Sequence, residues 1–305
     1  MHAAAELPPH AVRVSHPLVL FFALAYGFSW LIWAPLWLPA FGVRGLPVLP
    51  MQHALGALGP IAAALVVSGM ESGRSAPRDL LRRMGLWRGS GTWVLVAVLS
   101  PLALLTIGLV VAAAMRSHET PLNSGLAIAS DLPPLSTLAF LATNVLAFGF
   151  GEEVGWRGFA LPRLQTKHTA FVATILLTFG WAFWHAPLFL YRPGFTSMGV
   201  AGAAGWLFSL VTGAVLLTWL YNESHGSLLV VALFHAGIDV VFTSGLSTPV
   251  VINTAGALIT IWGVIVVVAA GPRYLARHGK MIQPANGTSV TVFLQRSHAV
   301  APLVG

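Results

Sequence analysis

The sequence predicts an all-α membrane protein, a polytopic bundle of about eight transmembrane helices. The 305-residue chain has a mean hydropathy of +0.80, with 56% hydrophobic and only 8% charged residues. Its apolar runs repeatedly approach the roughly 20 residues that an α-helix needs to cross a bilayer. These runs are long and apolar on all sides, whereas the strands of an outer-membrane barrel would be short and alternating. Helices are therefore the expected spanning elements.

The individual spans are separated by joins that are rich in Pro and Gly. We place them at 17–39, 52–70, 92–115, 136–162, 169–190, 199–221, 227–244 and 250–271. The first apolar run is longer than the apolar region of a cleavable signal peptide and no small-residue cleavage site follows it, so we expect a retained helix. The chain contains no cysteine, which excludes disulfides and thiolate-bound metals.

The chain is expected to form one membrane-embedded domain over residues 1–280, with the helices that carry chemistry within 136–244. A flexible C-terminal tail is expected over 281–305. This tail mixes Pro, Gly, Asn, Thr and Ser with one short apolar stretch, a composition typical of loosely ordered chain ends. The sequence indicates neither a separate soluble domain nor an internal repeat.

The basic residues predict the orientation of the bundle. With eight spans and a cytoplasmic N-terminus, all sixteen Lys and Arg fall on the cytoplasmic side except Arg44, Arg116 and Arg192. Cytoplasmic loops of membrane proteins carry such an excess, so both termini are expected in the cytoplasm, in a bacterial-type inner or plasma membrane. A basic side facing anionic membrane lipid also accounts for the net charge of +7, and nucleic acid is not an expected partner.

Three ionisable residues, Glu152, Glu153 and Arg157, directly follow an apolar run. A charged side chain at the centre of a spanning helix costs roughly 2.5–3.5 kcal/mol on insertion scales, so such residues indicate function by default. Residues four apart share a helix face, and Glu153 can therefore meet Arg157 while Glu152 points elsewhere. We expect Glu153 and Arg157 to form a structural ion pair. Glu152 is left as a carboxylate that can hold a metal or take a proton from water.

Later predicted spans also contain ionisable side chains within apolar runs: His185, His235 and Asp239. His235 and Asp239 are again four residues apart, so an imidazole and a carboxylate project from one helix face. A single buried histidine is more often a packing residue, but the conjunction with Glu152 gives four nitrogen and oxygen groups. These are enough to bind a divalent metal, or to activate a water and stabilise an oxyanion. Other histidines are expected to be solvated at segment ends or in loops: His53, His118, His168 and His225.

Three motifs follow one another on successive predicted helices: Glu152-Glu153-x-x-x-Arg157, Trp181-x-x-x-His185 and His235-x-x-x-Asp239. In these motifs the chain resembles the CPBP family of intramembrane proteases, which includes type II CAAX prenyl proteases and the bacteriocin-processing and Abi proteins. That family shows Glu-Glu-x-x-x-Arg, Phe-x-x-x-His and His-x-x-x-Asn or Asp in this order. Trp181 stands where Phe is usual, and the residues that flank the first motif, including Trp156, also match. The metal motif His-Glu-x-x-His of site-2 type proteases does not occur in the chain.

The resemblance implies hydrolysis of a peptide bond in a membrane-associated or lipidated substrate; eukaryotic relatives remove the last three residues after a prenylated cysteine. It implies that Glu152 and His185 activate a water while His235 and Asp239 polarise the carbonyl or complete a metal site. Zn²⁺ would be the first choice of metal, because it accepts histidine and carboxylate ligands and leaves one position open for water. A metalloprotease and a metal-free glutamate-dependent hydrolase would use these same residues. Of the two we expect the metal-assisted reaction, because Glu152 and Asp239 would otherwise repel each other across a dry site.

Further expectations concern the surroundings of the site and the rival functions. Trp181 and Trp156 are expected to line it, within a water-filled cavity open to the cytoplasm. A proton-coupled transporter would also carry buried Glu, His and Asp, but it would be indicated by inverted repeats that we do not detect. A non-catalytic immunity or scaffold protein of the same family would usually have lost a catalytic position, and here none is missing.

Overall fold

The computed structural model describes residues 14–73, 75–85, 90–115, 126–127, 132–282 and 290–293. The helices of this part of the chain are α1 Pro17–Ile32, α2 Ala34–Trp37, α3 Gln52–Gly56, α4 Gly59–Ser72, α5 Ser75–Arg82, α6 Gly91–Ala114, α7 Thr137–Thr143, α8 Gly151–Glu153, α9 Leu161–Lys167, α10 Ala170–Trp184, α11 Leu188–Tyr191, α12 Val200–Glu223, α13 Leu228–Thr243 and α14 Pro249–Ala270. Short 3₁₀ turns occupy Leu38–Phe41 and Arg83–Gly85, and two strands follow the helices, β1 Gly279–Ile282 and β2 Val290–Phe293.

Local sequence signals fix where several helices begin. The side-chain oxygens that accept a backbone N–H of the first turn of α7, α10, α13 and α14 belong to Ser136, Thr169, Ser227 and Thr248. Each is a Ser or Thr cap that satisfies a backbone donor without an intrahelical partner. Pro249 then opens α14, a position where its missing N–H costs nothing.

Several helices of the described chain are long and apolar enough to cross a membrane. There are 5, covering Gln52–Ser72, Gly91–Ala114, Ala170–Tyr191, Val200–Glu223 and Pro249–Ala270, or up to 6 if α1 and the segment after it, bent by 60°, count as one span. The chain is therefore an integral multi-pass membrane protein. The two remaining predicted spans fall on α13, which has only 16 residues, and on the irregular run from α7 to α9. The count of eight spans and the cytoplasmic termini stay predictions.

The helical run between α7 and α9 contains two π-helical stretches, Asn144–Phe150 and Val154–Ala160. A π-helix closes its hydrogen bonds over five residues rather than four, so its turn is wider than 3.6 residues. Side chains four residues apart consequently stay close to one line. Asn144, Phe148 and Glu152 are spaced in this way, and all three face the same cavity.

Glycines allow this run to pack tightly against its neighbours. A Cβ added to Gly155 would lie 2.6 Å from both Cβ and the carbonyl oxygen of Pro60, at the start of α4. A Cβ added to Gly149 would lie 2.6 Å from the carbonyl oxygen of Ala232 in α13. Small residues at such crossings are a common means of close approach between membrane helices.

Polar contacts fasten one end of the bundle, which we call the basic end. There Arg163 Nη2 donates to Glu71 Oε2 at 2.6 Å, and the backbone N–H of Arg277 donates to Glu223 Oε1 at 2.7 Å. The first contact ties α9 to the end of α4, and the second ties the end of α12 to the residues that follow α14. The described Lys and Arg that gather at this end are Arg78, Arg82, Arg83, Arg163, Lys167, Arg273, Arg277 and Lys280. Arg157, which the sequence assigned to the same side, is instead buried within the bundle.

A two-stranded antiparallel hairpin departs from the all-α expectation. β1 and β2 pair from Gly279 opposite Phe293 to Ile282 opposite Val290. Met281 is buried, and its N–H donates to Asn222 Oδ1 of α12 at 3.1 Å. β2 is the short apolar stretch of the predicted tail, and its β-branched residues favour a strand. Apart from the strand residues, the predicted tail over 281–305 lies outside the described residues, and its flexibility there stays a prediction.

Candidate active site

A cavity of about 1280 Å³ occupies the end of the bundle opposite to the basic end. The first halves of α12 and α14, the second half of α13 and the loop 192–198 contribute to its wall. The side chains of the predicted catalytic set all line it: Glu152, His185, His235 and Asp239. The expectations of a cytoplasmic basic end and of a site open to the cytoplasm therefore conflict, because the cavity and the basic residues lie at opposite ends.

Glu152 is a buried carboxylate, 4% exposed, at the wall of the cavity. Its Oε2 accepts a hydrogen bond from Nε1 of Trp181 at 2.8 Å and a longer one from Nε1 of Trp156 at 3.4 Å. Two indole donors on one oxygen fix the orientation of the carboxylate. Oε1 is left as the oxygen that can meet a water in the cavity.

Trp156 donates to the Glu152 carboxylate but is not among the residues that line the cavity. Its ring is fully buried and meets the rings of Phe21 and Trp184 edge-on, with centroid distances of 5.4 and 6.0 Å. Trp156 therefore reaches the candidate site through Glu152 and not through the cavity surface, because α1 and α10 cover its outer ring edge. Trp181, in contrast, does line the cavity.

The ion pair expected from the spacing of Glu153 and Arg157 is present and fully buried. Arg157 Nη1 lies 2.8 Å from Glu153 Oε1, with the two side chains 1% and 0% exposed. The Arg157 guanidinium also lies 4.7 Å from the centroid of the Trp181 ring, within the range of a cation–π interaction. Glu153 Oε1 has a second partner that the sequence did not indicate, the imidazole of His235.

His235 is placed between two carboxylates. Its Nδ1 lies 2.7 Å from Glu153 Oε1, and because a carboxylate only accepts, this nitrogen carries the proton. Its Nε2 lies 3.7 Å from Asp239 Oδ2, which is too long for a hydrogen bond. The Nε2 side of the ring can therefore meet a group in the cavity.

His185 caps the C-terminal end of α10, whereas the sequence placed it inside a longer helix. Its Nδ1 lies 2.7 Å from the carbonyl oxygen of Trp181, so Nδ1 donates and Nε2 is an acceptor in the neutral ring. The Trp181 ring lies 5.6 Å from the His185 ring and 5.4 Å from the His235 ring, centroid to centroid. Trp181 thus contacts Glu152, His185 and His235 together.

These side chains do not form a metal site in the arrangement observed. Across the described ranges, no group of three or more His, Asp or Glu side chains is placed to hold one metal ion. Glu152 Oε2 and His235 Nδ1 are engaged by Trp181 and Glu153, so donors would have to move before they could share an ion. Zinc stays a prediction from the sequence.

The polar residues of the cavity wall that the sequence analysis missed include His53 and Asn144. His53, expected to be solvated, is 5% exposed, and its Nδ1 lies 2.7 Å from the hydroxyl of Tyr191. It stands at the edge of a predicted span, where nothing marks it as buried. Asn144 is 1% exposed and lies inside the predicted span 136–162. Its distance of two helical turns from Glu152 was the signal that could have identified it.

Comparisons with known proteins agree with the motifs. Residues 134–241, which include the predicted catalytic set, match the family model described as type II CAAX prenyl endopeptidase Rce1-like. The chain is also similar to CAAX prenyl protease 2 of Methanococcus maripaludis, with 24% identity over 236 residues that cover 75% of this chain and 81% of that protein. The resemblance recognised from the motifs is confirmed by this match, which covers residues 134–241 and the three motifs within them.

Proposed function

We propose that this protein is an intramembrane endopeptidase that hydrolyses a peptide bond of a membrane-associated or lipidated protein, with prenylated proteins as the first substrate class to test. The match of residues 134–241 to a family model of prenyl endopeptidases supports the reaction class. The observation that carries the proposal is the buried Glu152 carboxylate, fixed by Trp181 at the wall of a cavity that also holds His185 and His235.

In the proposed reaction Glu152 is the general base. A water at its Oε1 transfers a proton to the carboxylate while the water oxygen attacks the carbonyl carbon of the substrate. Nε2 of His185 is a second acceptor in the cavity and orients this water. The proton held by Glu152 then passes to the amine nitrogen as the C–N bond breaks, which restores the carboxylate.

In the proposed reaction His235, together with Glu153 and Asp239, stabilises the negative charge that develops on the carbonyl oxygen. Glu153 accepts the Nδ1 proton at 2.7 Å, and Asp239 lies 3.7 Å from Nε2. An imidazole between two carboxylates can carry a proton on both nitrogens and donate from Nε2 to the oxyanion. Such a donor, already oriented before the reaction, is a large source of catalysis in acyl transfer.

The composition of the cavity wall also favours a substrate that enters from the bilayer. Phe208 of α12 and Ile261 of α14 line the cavity and are 58% and 56% exposed on the surface of the bundle. Large apolar residues that belong both to a cavity and to the outer surface are suited to a lipid-modified ligand. This is the feature that makes a lipidated peptide the first choice for an assay.

The test is a cleavage assay on purified protein in liposomes. The substrate is a farnesylated peptide that ends three residues after the modified cysteine, and mass spectrometry detects the fragments. Wild-type protein is expected to release a C-terminal fragment, and Glu152→Gln, with an unchanged melting temperature, is expected to release none. Absence of cleavage by folded wild-type protein would overturn the proposal and favour the non-catalytic scaffold.

A further inference from the structure

The buried side chain of Asn144 has one atom without a hydrogen-bond partner. Its Nδ2 donates to the carbonyl oxygen of Phe140 at 2.9 Å, whereas its Oδ1 has no partner within the part of the chain that the structure describes. Exchange of the two ends of the amide would place Oδ1 against the Phe140 carbonyl, which is also an acceptor. The hydrogen bond to Phe140 therefore fixes Oδ1 as the unsatisfied atom.

Such an atom calls for an explanation, because most buried polar side-chain atoms have a hydrogen-bond partner. Asn144 is 1% exposed and belongs to the wall of the cavity together with Glu152 and His235. An apolar side chain at this position would fill the same space and would leave no hydrogen-bond acceptor without a partner. An acceptor in the wall of a binding cavity is instead suited to a donor that arrives with the ligand.

The spacing to Glu152 indicates which donor that is. Asn144 and Glu152 are eight residues apart on one face, which corresponds to at most roughly 12 Å along the helix, because an α-helix rises 1.5 Å per residue and the wider π-helical turns between the two rise less. Three to four residues of an extended peptide cover a similar length, roughly 10–13 Å. A substrate chain with its scissile bond at Glu152 that runs along this face would reach Asn144 with a backbone group three to four residues away.

We propose that Asn144 Oδ1 is a substrate-binding acceptor, which takes a hydrogen bond from a backbone N–H of the substrate about three to four residues from the scissile bond. An extended peptide offers one backbone N–H per residue, so the contact fixes the position of the chain without selecting a side chain. The inference rests on the proposed function and deepens it, because it assigns a second point at which the peptide is held.

Asn144→Thr is the informative variant. A threonine hydroxyl in a helix can donate to the carbonyl four residues earlier, as Thr174 does to Ala170 and Thr178 does to Thr174, both at 2.7 Å. The variant therefore keeps the hydrogen bond to Phe140 and removes the Oδ1 acceptor. Asn144→Val has the same shape as Asn144→Thr but lacks the hydrogen bond to Phe140 as well as the Oδ1 acceptor. The difference in stability between the two variants therefore measures the structural role of the hydrogen bond to Phe140.

The readout is a series of farnesylated peptides in which one backbone N–H at a time is replaced by an ester oxygen. For wild-type protein, the replacement at one position three to four residues from the cleaved bond is expected to lower kcat/KM by roughly 3- to 10-fold. For Asn144→Thr the amide and the ester at that position are expected to be cleaved equally, both at the lowered rate. Replacements at other positions should affect the two proteins alike.

The outcomes separate this inference from the proposed function. If wild-type protein cleaves the peptides and Asn144→Thr keeps the full ester sensitivity at every position, the inference is wrong and the proposed function stands. If folded wild-type protein cleaves none of them, the proposed function fails and this inference fails with it. Should Asn144→Thr not fold, Asn144→Ser is read by the same criterion, because its hydroxyl can also donate to Phe140.

Discussion

His235 is held by Glu153, the acid that the sequence assigned only to Arg157. Nδ1 of His235 lies 2.7 Å from Glu153 Oε1, and the same oxygen lies 2.8 Å from Nη1 of Arg157. One carboxylate therefore orients a structural cation and a cavity histidine together. The neighbouring acid, Glu152, accepts its hydrogen bonds from two indoles instead. The two adjacent acids are consequently expected to respond differently to neutralisation.

Glu153→Gln is expected to lose far more stability than Glu152→Gln. Removal of one partner of a buried ion pair leaves the other charge uncompensated, at a cost of about 3–5 kcal/mol, and Arg157 is only 1% exposed. Glu152→Gln keeps the shape of the side chain and has no ion pair to lose, so it should fold normally and show no turnover. Thermal unfolding in detergent and the peptide assay measure the two effects.

The double variant Glu153→Gln/Arg157→Gln is the control for this assignment. It removes both charges, so most of the lost stability should return, whereas activity should not, because His235 has still lost its carboxylate partner. Full activity of Glu152→Gln, or a Glu153→Gln variant that melts like the wild type, would require the two roles to be reversed.

Trp181→Phe tests how far the indole donor fixes the base. The variant keeps an aromatic ring, the residue usual in the family, but removes the donor at 2.8 Å from Glu152 Oε2. Hydrogen bonds to charged groups contribute about 1.5 kcal/mol or more, so kcat is expected to fall about tenfold. Trp206→Phe is the matched control, since it shortens another indole of the cavity wall, one that packs on His185. Equal losses in the two variants would assign the effect to packing.

Chelation separates the metal-dependent and metal-free mechanisms. Within the described ranges the acids and histidines do not form a three-ligand group, so we expect activity to survive dialysis against a strong chelator. Asp239→Asn should then lower the rate without a change in metal content, which elemental analysis measures. Loss of activity on chelation, its recovery with added Zn²⁺, and weaker zinc retention by Asp239→Asn would instead support the zinc prediction.

The sequence predicts features that depend on neighbours along one helix and misses those that depend on how helices meet. The Glu153–Arg157 pair follows from a spacing of four residues. The Glu153–His235 contact joins positions 82 residues apart, for which chain spacing carries no information. Trp156 contacts Glu152 without lining the cavity because rings from α1 and α10 cover it, a consequence of packing rather than of its own motif.

The sequence also did not predict the two π-helical stretches of the site. The apolar periodicity around residues 136–162 is compatible with an ordinary α-helix, and the wider turns arise where the run packs against α4 and α13. The end of α10 before His185 was missed for a similar reason, because the apolar run continues beyond it. The identity of the buried ionisable groups could be predicted, and the geometry that joins them could not.

Gly155→Ala tests this close packing. Its added Cβ would lie 2.6 Å from the ring and the carbonyl oxygen of Pro60, neither of which can rotate away. Overpacking of this kind typically costs about 1–3 kcal/mol, so a lower melting temperature and less folded protein are expected. Gly27→Ala in α1 is the control, because nothing lies within 4 Å of the added Cβ, and it should be neutral or slightly stabilising. A Gly155→Ala protein as stable as this control would contradict the packing described.

The orientation of the cavity follows from the distribution of charge. Most of the described Lys and Arg gather at the basic end, whereas Arg192 lies in the cavity wall at the other end and Arg44 lies in the loop before α3. Cytoplasmic loops carry the excess of Lys and Arg, so the basic end is expected in the cytoplasm and the cavity on the opposite face. We give this asymmetry precedence over the expectation that the cavity opens to the cytoplasm, because it rests on many residues of the chain.

Single-cysteine labelling decides between the two orientations. The natural chain has no cysteine, so Ser75→Cys at the basic end and Ser197→Cys in the cavity-side loop each carry one exposed thiol. A membrane-impermeant maleimide added to intact cells is expected to label Ser197→Cys, and to label Ser75→Cys only after permeabilisation. Each variant must retain peptidase activity, so that the labelled protein is the folded one. The reverse labelling pattern would place the cavity on the cytoplasmic side and show that this chain does not follow the positive-inside distribution.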